Sequence, residues 1–283
     1  MRNAVFAAGG TFAVIWFALI FLTGAAVGSF LNVCIARWPE NLSVVRPRSR
    51  CPRCQRQIAW YENVPLVSWI ALRARCAGCK LPISVQYPAV ELAIAIGWVV
   101  AFLVFPVWLT ALRVAVFGTI LAGIAVTDVK HYVIPDGFTV FGLIWVLVTA
   151  FAGAILDLPS PFASPYDALI GACVGAGVIS IIGWLGEVIL SKEAMGFGDV
   201  TLMAVVGAAV GPKRALLAVF VGAGLGAVIF LGVVLPVAWI RGRRAAVPFE
   251  TPLVPFGVFL APAALLTLLY GDWMIGWYLM RFA

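Results

Sequence analysis

Long apolar runs broken by short polar stretches give this chain its pattern. With glycine, proline and charge as breakers, the runs predict helical spans at about 11–35, 87–105, 107–127, 138–156, 168–190, 199–211, 215–239 and 257–280. All but the short sixth approach the ~20 residues that cross a ~30 Å hydrocarbon core. The fold class is therefore an all-α polytopic membrane protein with about eight transmembrane helices. The first thirty residues have the look of a secretory signal, yet their apolar run continues to residue 36 and meets a basic loop. They read as a retained span whose following end is held in the cytoplasm.

One sizeable polar insertion interrupts the pattern, at 36–86. It carries Arg37, Arg46, Arg48, Arg50, Arg53, Arg56, Arg73, Arg75 and Lys80 against Glu40 and Glu62, which makes it cytoplasmic by the positive-inside rule. Alternation then puts Lys130, His131, Lys192, Arg241, Arg243 and Arg244 inside and the acidic connection 157–167 outside, with Lys213 and Arg214 as the exception. Three parts follow: a first transmembrane helix (1–35), the cytoplasmic insertion (36–86) and a transmembrane domain (87–283). The chain is 64% hydrophobic and 11% charged, with a net charge of +7. Because the positive residues cluster between spans, they report orientation in a lipid bilayer and not a nucleic-acid partner. Close glycine pairs, Gly171 with Gly175 and Gly222 with Gly226, have the spacing that lets helix backbones approach.

Within the insertion, CPRC (51–54) and CAGC (76–79) form C-x2-C…C-x2-C with 21 residues between the pairs. Two short knuckles at that spacing can present Cys51, Cys54, Cys76 and Cys79 tetrahedrally to Zn2+. A four-thiolate site leaves no open coordination position, so the zinc is expected to be structural. Disulfides are disfavoured in the reducing cytoplasm.

Ionisable residues at membrane margins are functional candidates. Asp136 follows Pro135 and precedes an apolar run, which reads as an N-cap. Asp199, at the end of GFGD, also reads as a cap, at a helix N-terminus where the dipole favours an anion. Asp128 closes the third span, where the dipole disfavours one by ~0.3–1 kcal/mol at an exposed end. That misfit marks a carboxylate kept for chemistry. Two carboxylates from different helices can share a proton, one activating water while the other protonates a scissile carbonyl. No G-x-S-x-G serine motif competes, and the lone His131 reads as incidental.

GSFLNVCIARWP (28–39), the two cysteine knuckles, TDVKHYVIPD (127–136), KEAMGFGD (192–199) and PFG (255–257) occur in the order and spacing of the bacterial type IV prepilin peptidases. The chain resembles these GxGD-type membrane aspartyl proteases along essentially its whole length. The resemblance implies a bifunctional enzyme of the bacterial inner membrane. It would cut the basic leader from prepilins or pseudopilins after a glycine on the cytoplasmic side, then N-methylate the new terminus with S-adenosylmethionine. It implies Asp128 and Asp199 as the catalytic pair, residues 87–283 as the protease domain, and a part for the zinc-bearing loop and first span in methyl transfer or substrate docking. Where the family commonly has Arg-Tyr-Pro, this chain has Gln86-Tyr87-Pro88, which removes a cation that would meet an anionic group. From another class, a transporter or channel with a zinc-stabilised cytoplasmic domain would share the composition. It should, however, place its acids near mid-membrane, and here they lie at helix ends.

Overall fold

A computed structural model describes residues 10–191, 195–245 and 254–282. Lys192 and Glu193, and the side chains of Arg241, Arg243 and Arg244, lie outside the described residues. Seven helices are long and apolar enough to cross a membrane, and an eighth apolar helix, Phe197–Val210, is shorter. The helices are α1 (Gly10–Arg37), α2 (Val67–Ala71), α3 (Gln86–Val104), α4 (Trp108–His131), α5 (Asp136–Ile155), α6 (Pro165–Leu190), α7 (Phe197–Val210), α8 (Pro212–Ile229), α9 (Leu235–Ala245) and α10 (Gly257–Phe282). A π-helical turn, Phe230–Val234, joins α8 to α9. It precedes Pro236, which has no N–H to offer the carbonyl four residues back, and a widened turn absorbs that defect. The chain divides into two compact units, Met1–Gly123 and Ile124–Ala283, with the division inside α4.

In the first unit, α1 and α3 pack antiparallel at close range. A Cβ on Gly24 would lie 2.9 Å from Ala95 Cα, and one on Gly28 2.8 Å from Glu91 Cα. One turn further on, Asn32 Nδ2 donates to Tyr87 O at 3.1 Å. Trp98 Nε1 donates to Thr119 Oγ1 at 3.0 Å and ties α3 to α4.

The insertion between α1 and α3 is built from two copies of one turn. Cys51 N–H donates to Arg56 O and Gln55 N–H to Cys51 O; Cys76 N–H donates to Leu81 O and Lys80 N–H to Cys76 O. Gln55 and Lys80, equivalent positions, both take left-handed φ values, 57° and 59°. Antiparallel bridges Arg50↔Gln57 and Arg75↔Pro82 flank the two turns. Arg56 grips Glu62 through both guanidinium nitrogens, at 3.0 and 2.9 Å.

In the second unit, α7 is the central element. Its 14 residues span about 21 Å, too little for a full crossing. Leu202, Met203 and every residue from 205 to 210 are buried, as expected of a helix apolar on all sides. Gly171 of α6 and Gly207 of α7 meet backbone to backbone, since a Cβ on either would overlap the other's carbonyl oxygen. Gly222 and Gly226 of α8 make the same kind of room for Leu260 and Phe259 of α10. Ser164 caps α6, accepting from Asp167 N–H at 3.2 Å. Arg214, the exception to the charge pattern, is not free: its Nε donates to Val210 O at 2.7 Å, and Nη1 lies 3.6 Å from Asp272 Oδ2.

Candidate active site and metal centre

The acids belong to the second unit. α4 runs past Asp128 to His131, so Asp128 lies within its last turn, and Tyr132 N–H donates to Asp128 O at 2.9 Å. The side chain is buried, 5% exposed. Backbone N–H groups of Gly257 and Val258, the first two residues of α10, are directed at its carboxylate. Oδ2 is buried without a hydrogen-bond partner. The carboxylate thus faces the favourable end of a second helix. Helix position alone therefore does not set the two acids apart as the sequence suggested, because Asp128 answers to α10 as well as to α4.

Asp199 is the third residue of α7, and Gly196 is the N-cap, in extended backbone with no side-chain cap bond. The sequence had suggested Asp199 itself as the cap. Instead Asp199 N–H donates to Gly196 O at 3.1 Å, while the Gly196 N–H is directed at the Asp199 carboxylate. The Asp199 carboxylate lies close enough to Asp128 to feel its charge. Asp136, also expected as a cap, is the first residue of α5 after the cap Pro135 and makes no side-chain cap bond; it is exposed. His131 and Glu187 are exposed too.

Ile134, a residue the sequence did not single out, holds these pieces together. It is buried in the loop between α4 and α5. A Cβ on Gly198 would lie 2.8 Å from Ile134 Cβ, and one on Gly257 would lie 3.0 Å from Ile134 Cδ1 and 2.8 Å from Asp128 Oδ2. The glycines before Asp199 and at the start of α10 are therefore cavities cut to admit this side chain and the acid. Nothing in the sequence pattern predicts that contact, because it joins three stretches distant along the chain.

In the first unit, the ligand sulfurs of Cys51, Cys54, Cys76 and Cys79 all lie within 4.8 Å of one another, and Cys51 Sγ is 3.9 Å from Cys79 Sγ. A tetrahedron with 2.3 Å metal–sulfur bonds has edges of about 3.8 Å. The four cysteines can hold a metal ion. Backbone N–H groups of Cys54 and Arg53 bring the Cys51 thiol down to about 6, and those of Cys79 and Gly78 lower Cys76. The Leu81 N–H pulls Cys79 in the same direction, but desolvation and the sulfurs of Cys76, Cys54 and Cys51 push it up to about 11. Backbone N–H groups thus favour the thiolate form at Cys51 and Cys76, while desolvation and the neighbouring sulfurs oppose it at Cys79.

Residues 22–105 match the bacterial peptidase A24 N-terminal domain, and residues 115–231 match the type IV leader peptidase family. The chain is 34% identical to a prepilin leader peptidase/N-methyltransferase of Aeromonas hydrophila, over 95% of each protein. It is 35% identical to one of Stutzerimonas stutzeri, over 99% of this chain and 98% of the relative. A third, of Myxococcus xanthus, is 42% identical over 78% of this chain and 64% of the relative. No solved structure matches the chain.

Proposed function

The chain belongs to the type IV leader peptidase family, and on that premise we propose that it is a prepilin leader peptidase and N-methyltransferase whose proteolytic dyad is Asp128 and Asp199. What supports the reading is the placement of two acids of different helices, with Asp199 within reach of the charge of Asp128, and Asp128 buried with an unpartnered oxygen beside Gly257. Sharing one proton, the pair acts as a unit. One carboxylate takes a proton from water as it attacks the scissile carbonyl while the other gives its proton to the carbonyl oxygen; the first then passes its proton to the amide nitrogen as the C–N bond breaks, and the second recovers a proton from the hydroxyl as the new carboxyl forms. The Gly257, Val258 and Gly196 N–H groups stabilise negative charge on whichever member is ionised. Acids at helix ends, not mid-span, argue against the transporter reading.

Substrates are prepilins or pseudopilins, cut after the glycine that ends a basic leader. Lys130 and His131, in the same helical turn as Asp128, support a cytoplasmic-facing site in the bacterial inner membrane. The sulfur geometry fits Zn2+ in a structural role, with all four positions taken by Cys51, Cys54, Cys76 and Cys79. S-adenosylmethionine would supply the electrophilic methyl group for the new N-terminus. We retain the three-part organisation, with residues 1–35 as first span, 36–86 as zinc insertion and 87–283 as protease domain.

The test is mass analysis of a purified prepilin after incubation with the enzyme. Asp128→Asn and Asp199→Asn should each lower cleavage by about 10²–10⁴-fold or more, with helix content and zinc content unchanged. A folded Asn variant that still cleaves at the wild-type rate removes that aspartate from the dyad.

A further inference from the structure

The first unit contains a cavity of about 410 Å³ between the cytoplasmic insertion and the α1–α3 helix pair. That volume lies in the range of small-molecule sites. Its wall is mainly apolar; Asn32 and Glu91 line it, and so do Arg37, Arg50, Arg53 and Arg56, of which Arg37 is held by backbone carbonyls and Arg56 by Glu62.

Two features of Asn32 and Glu91 are unexplained by the fold. Asn32 is 4% exposed. Its Nδ2 donates to Gly28 O and Tyr87 O, at 3.3 and 3.1 Å, which fixes the orientation of the amide, since the opposite one would set oxygen against two carbonyls. Asn32 Oδ1 is then buried with no partner. Glu91 is 8% exposed in the second turn of an apolar helix. One oxygen, Oε2, accepts from Leu66 N–H at 2.8 Å, and no cation pairs with it among the described residues. A buried acceptor without a donor and a buried carboxylate without a counter-charge are each costly. They occur on facing turns of two helices that touch at Gly28 and Glu91.

We propose that this cavity binds a primary ammonium group, with Asn32 Oδ1 and the Glu91 carboxylate accepting its N–H bonds. A cation with several N–H donors answers both at once, the Asn32 oxygen that lacks a donor and the Glu91 carboxylate that lacks a counter-charge. The proposal rests on the methyl-transfer reading above, because that reaction brings two such ammonium groups to the enzyme: the amino-acid end of the methyl donor and the new N-terminus of the processed pilin. Asn32 and Glu91 are binding residues in either case.

Full-length enzyme in detergent provides the test, read by binding and not by turnover. Calorimetry with S-adenosylhomocysteine, which retains the donor's ammonium group, forms one arm. The other uses a pilin peptide beginning with phenylalanine, compared with its N-acetylated form. Asn32→Leu removes the acceptor at nearly constant volume. Glu91→Gln removes the charge but keeps an oxygen for Leu66 N–H, so it preserves the local fold; zinc content and thermal midpoint check both variants. Each variant should weaken one of the two ligands by roughly tenfold or more. Weakened S-adenosylhomocysteine assigns the cavity to the methyl donor. A weakened free-amine peptide, with the acetylated peptide unaffected, assigns it to the pilin terminus. If both ligands bind folded Glu91→Gln and Asn32→Leu as they bind wild type, the proposal is overturned. A wild-type enzyme that never methylates would instead remove the methyl-transfer reading, and the peptide arm would still decide what the cavity binds.

Discussion

Gly198 shows how much of the active site depends on a missing atom. With Ile134 Cβ only 2.8 Å from where its own Cβ would be, Gly198→Ala forces either Ile134 or the first turn of α7 to move, at a cost of ~1–3 kcal/mol for an overpacked site. The displaced turn carries Asp199, so cleavage of a prepilin should fall by at least about tenfold, a loss that ~1.4 kcal/mol of mispositioning already explains. Gly198→Ala paired with Ile134→Gly, which removes the clashing Cβ, should recover part of the loss in the same assay. Asp136→Asn, by contrast, should leave cleavage within about twofold of wild type, because Asp136 is exposed and its side chain makes no cap bond; abolished cleavage in a folded variant would bring it into the site. Among single residues, the two acids were legible in the sequence because charge is conspicuous in apolar surroundings. Ile134 was not, since a buried isoleucine looks like any other until its neighbours are known. Glu91 is as conspicuous by charge as Asp128, but no motif of its own marks it as chemical.

At the scale of elements, periodicity and breakers foretold the helices well, because lipid leaves a spanning segment no alternative to a closed helix. The short α7 was visible for the same reason. What the pattern could not show was that α4 continues for a turn beyond Asp128, or that the first N–H groups of α10 meet that acid; both depend on tertiary packing. The duplicated cysteine turn is the insertion's main organiser. Its two bridges and single bidentate ion pair are slight, whereas structural zinc contributes ~10–16 kcal/mol in small peptides at neutral pH. Cys76→Ser should therefore lose bound metal by elemental analysis and open 36–86 to trypsin, which has many arginines to cut there. A variant that keeps its metal and its protease resistance would contradict the four-sulfur site.

For the molecule as a whole, the metal cluster and the paired acids fall in different compact units, and the contacts that build the acid site, through Ile134, Gly198 and Gly257, all lie in the second. Stripping zinc with a chelator should accordingly lower methyl transfer more than leader cleavage, measured on the same peptide by mass. Equal loss of both would mean that the proteolytic site leans on the metal. The basic excess also reads sensibly at this scale. Lys213 and Arg214 break the charge pattern, and Arg214 is held by Val210 O and Asp272, a pairing that composition alone does not reveal.

The dependence of Asp128 on Gly257 and Val258 also orders events during biosynthesis. A ribosome delivers all four cysteines before it delivers α3, so the four-sulfur cluster is complete while most of the enzyme is still unmade. The acid site follows the opposite schedule: Asp128 emerges first, Asp199 later, and the N–H groups that face Asp128 only once the start of α10 has been translated. On the proposed dyad, proteolytic competence therefore arrives as one of the last acts of synthesis.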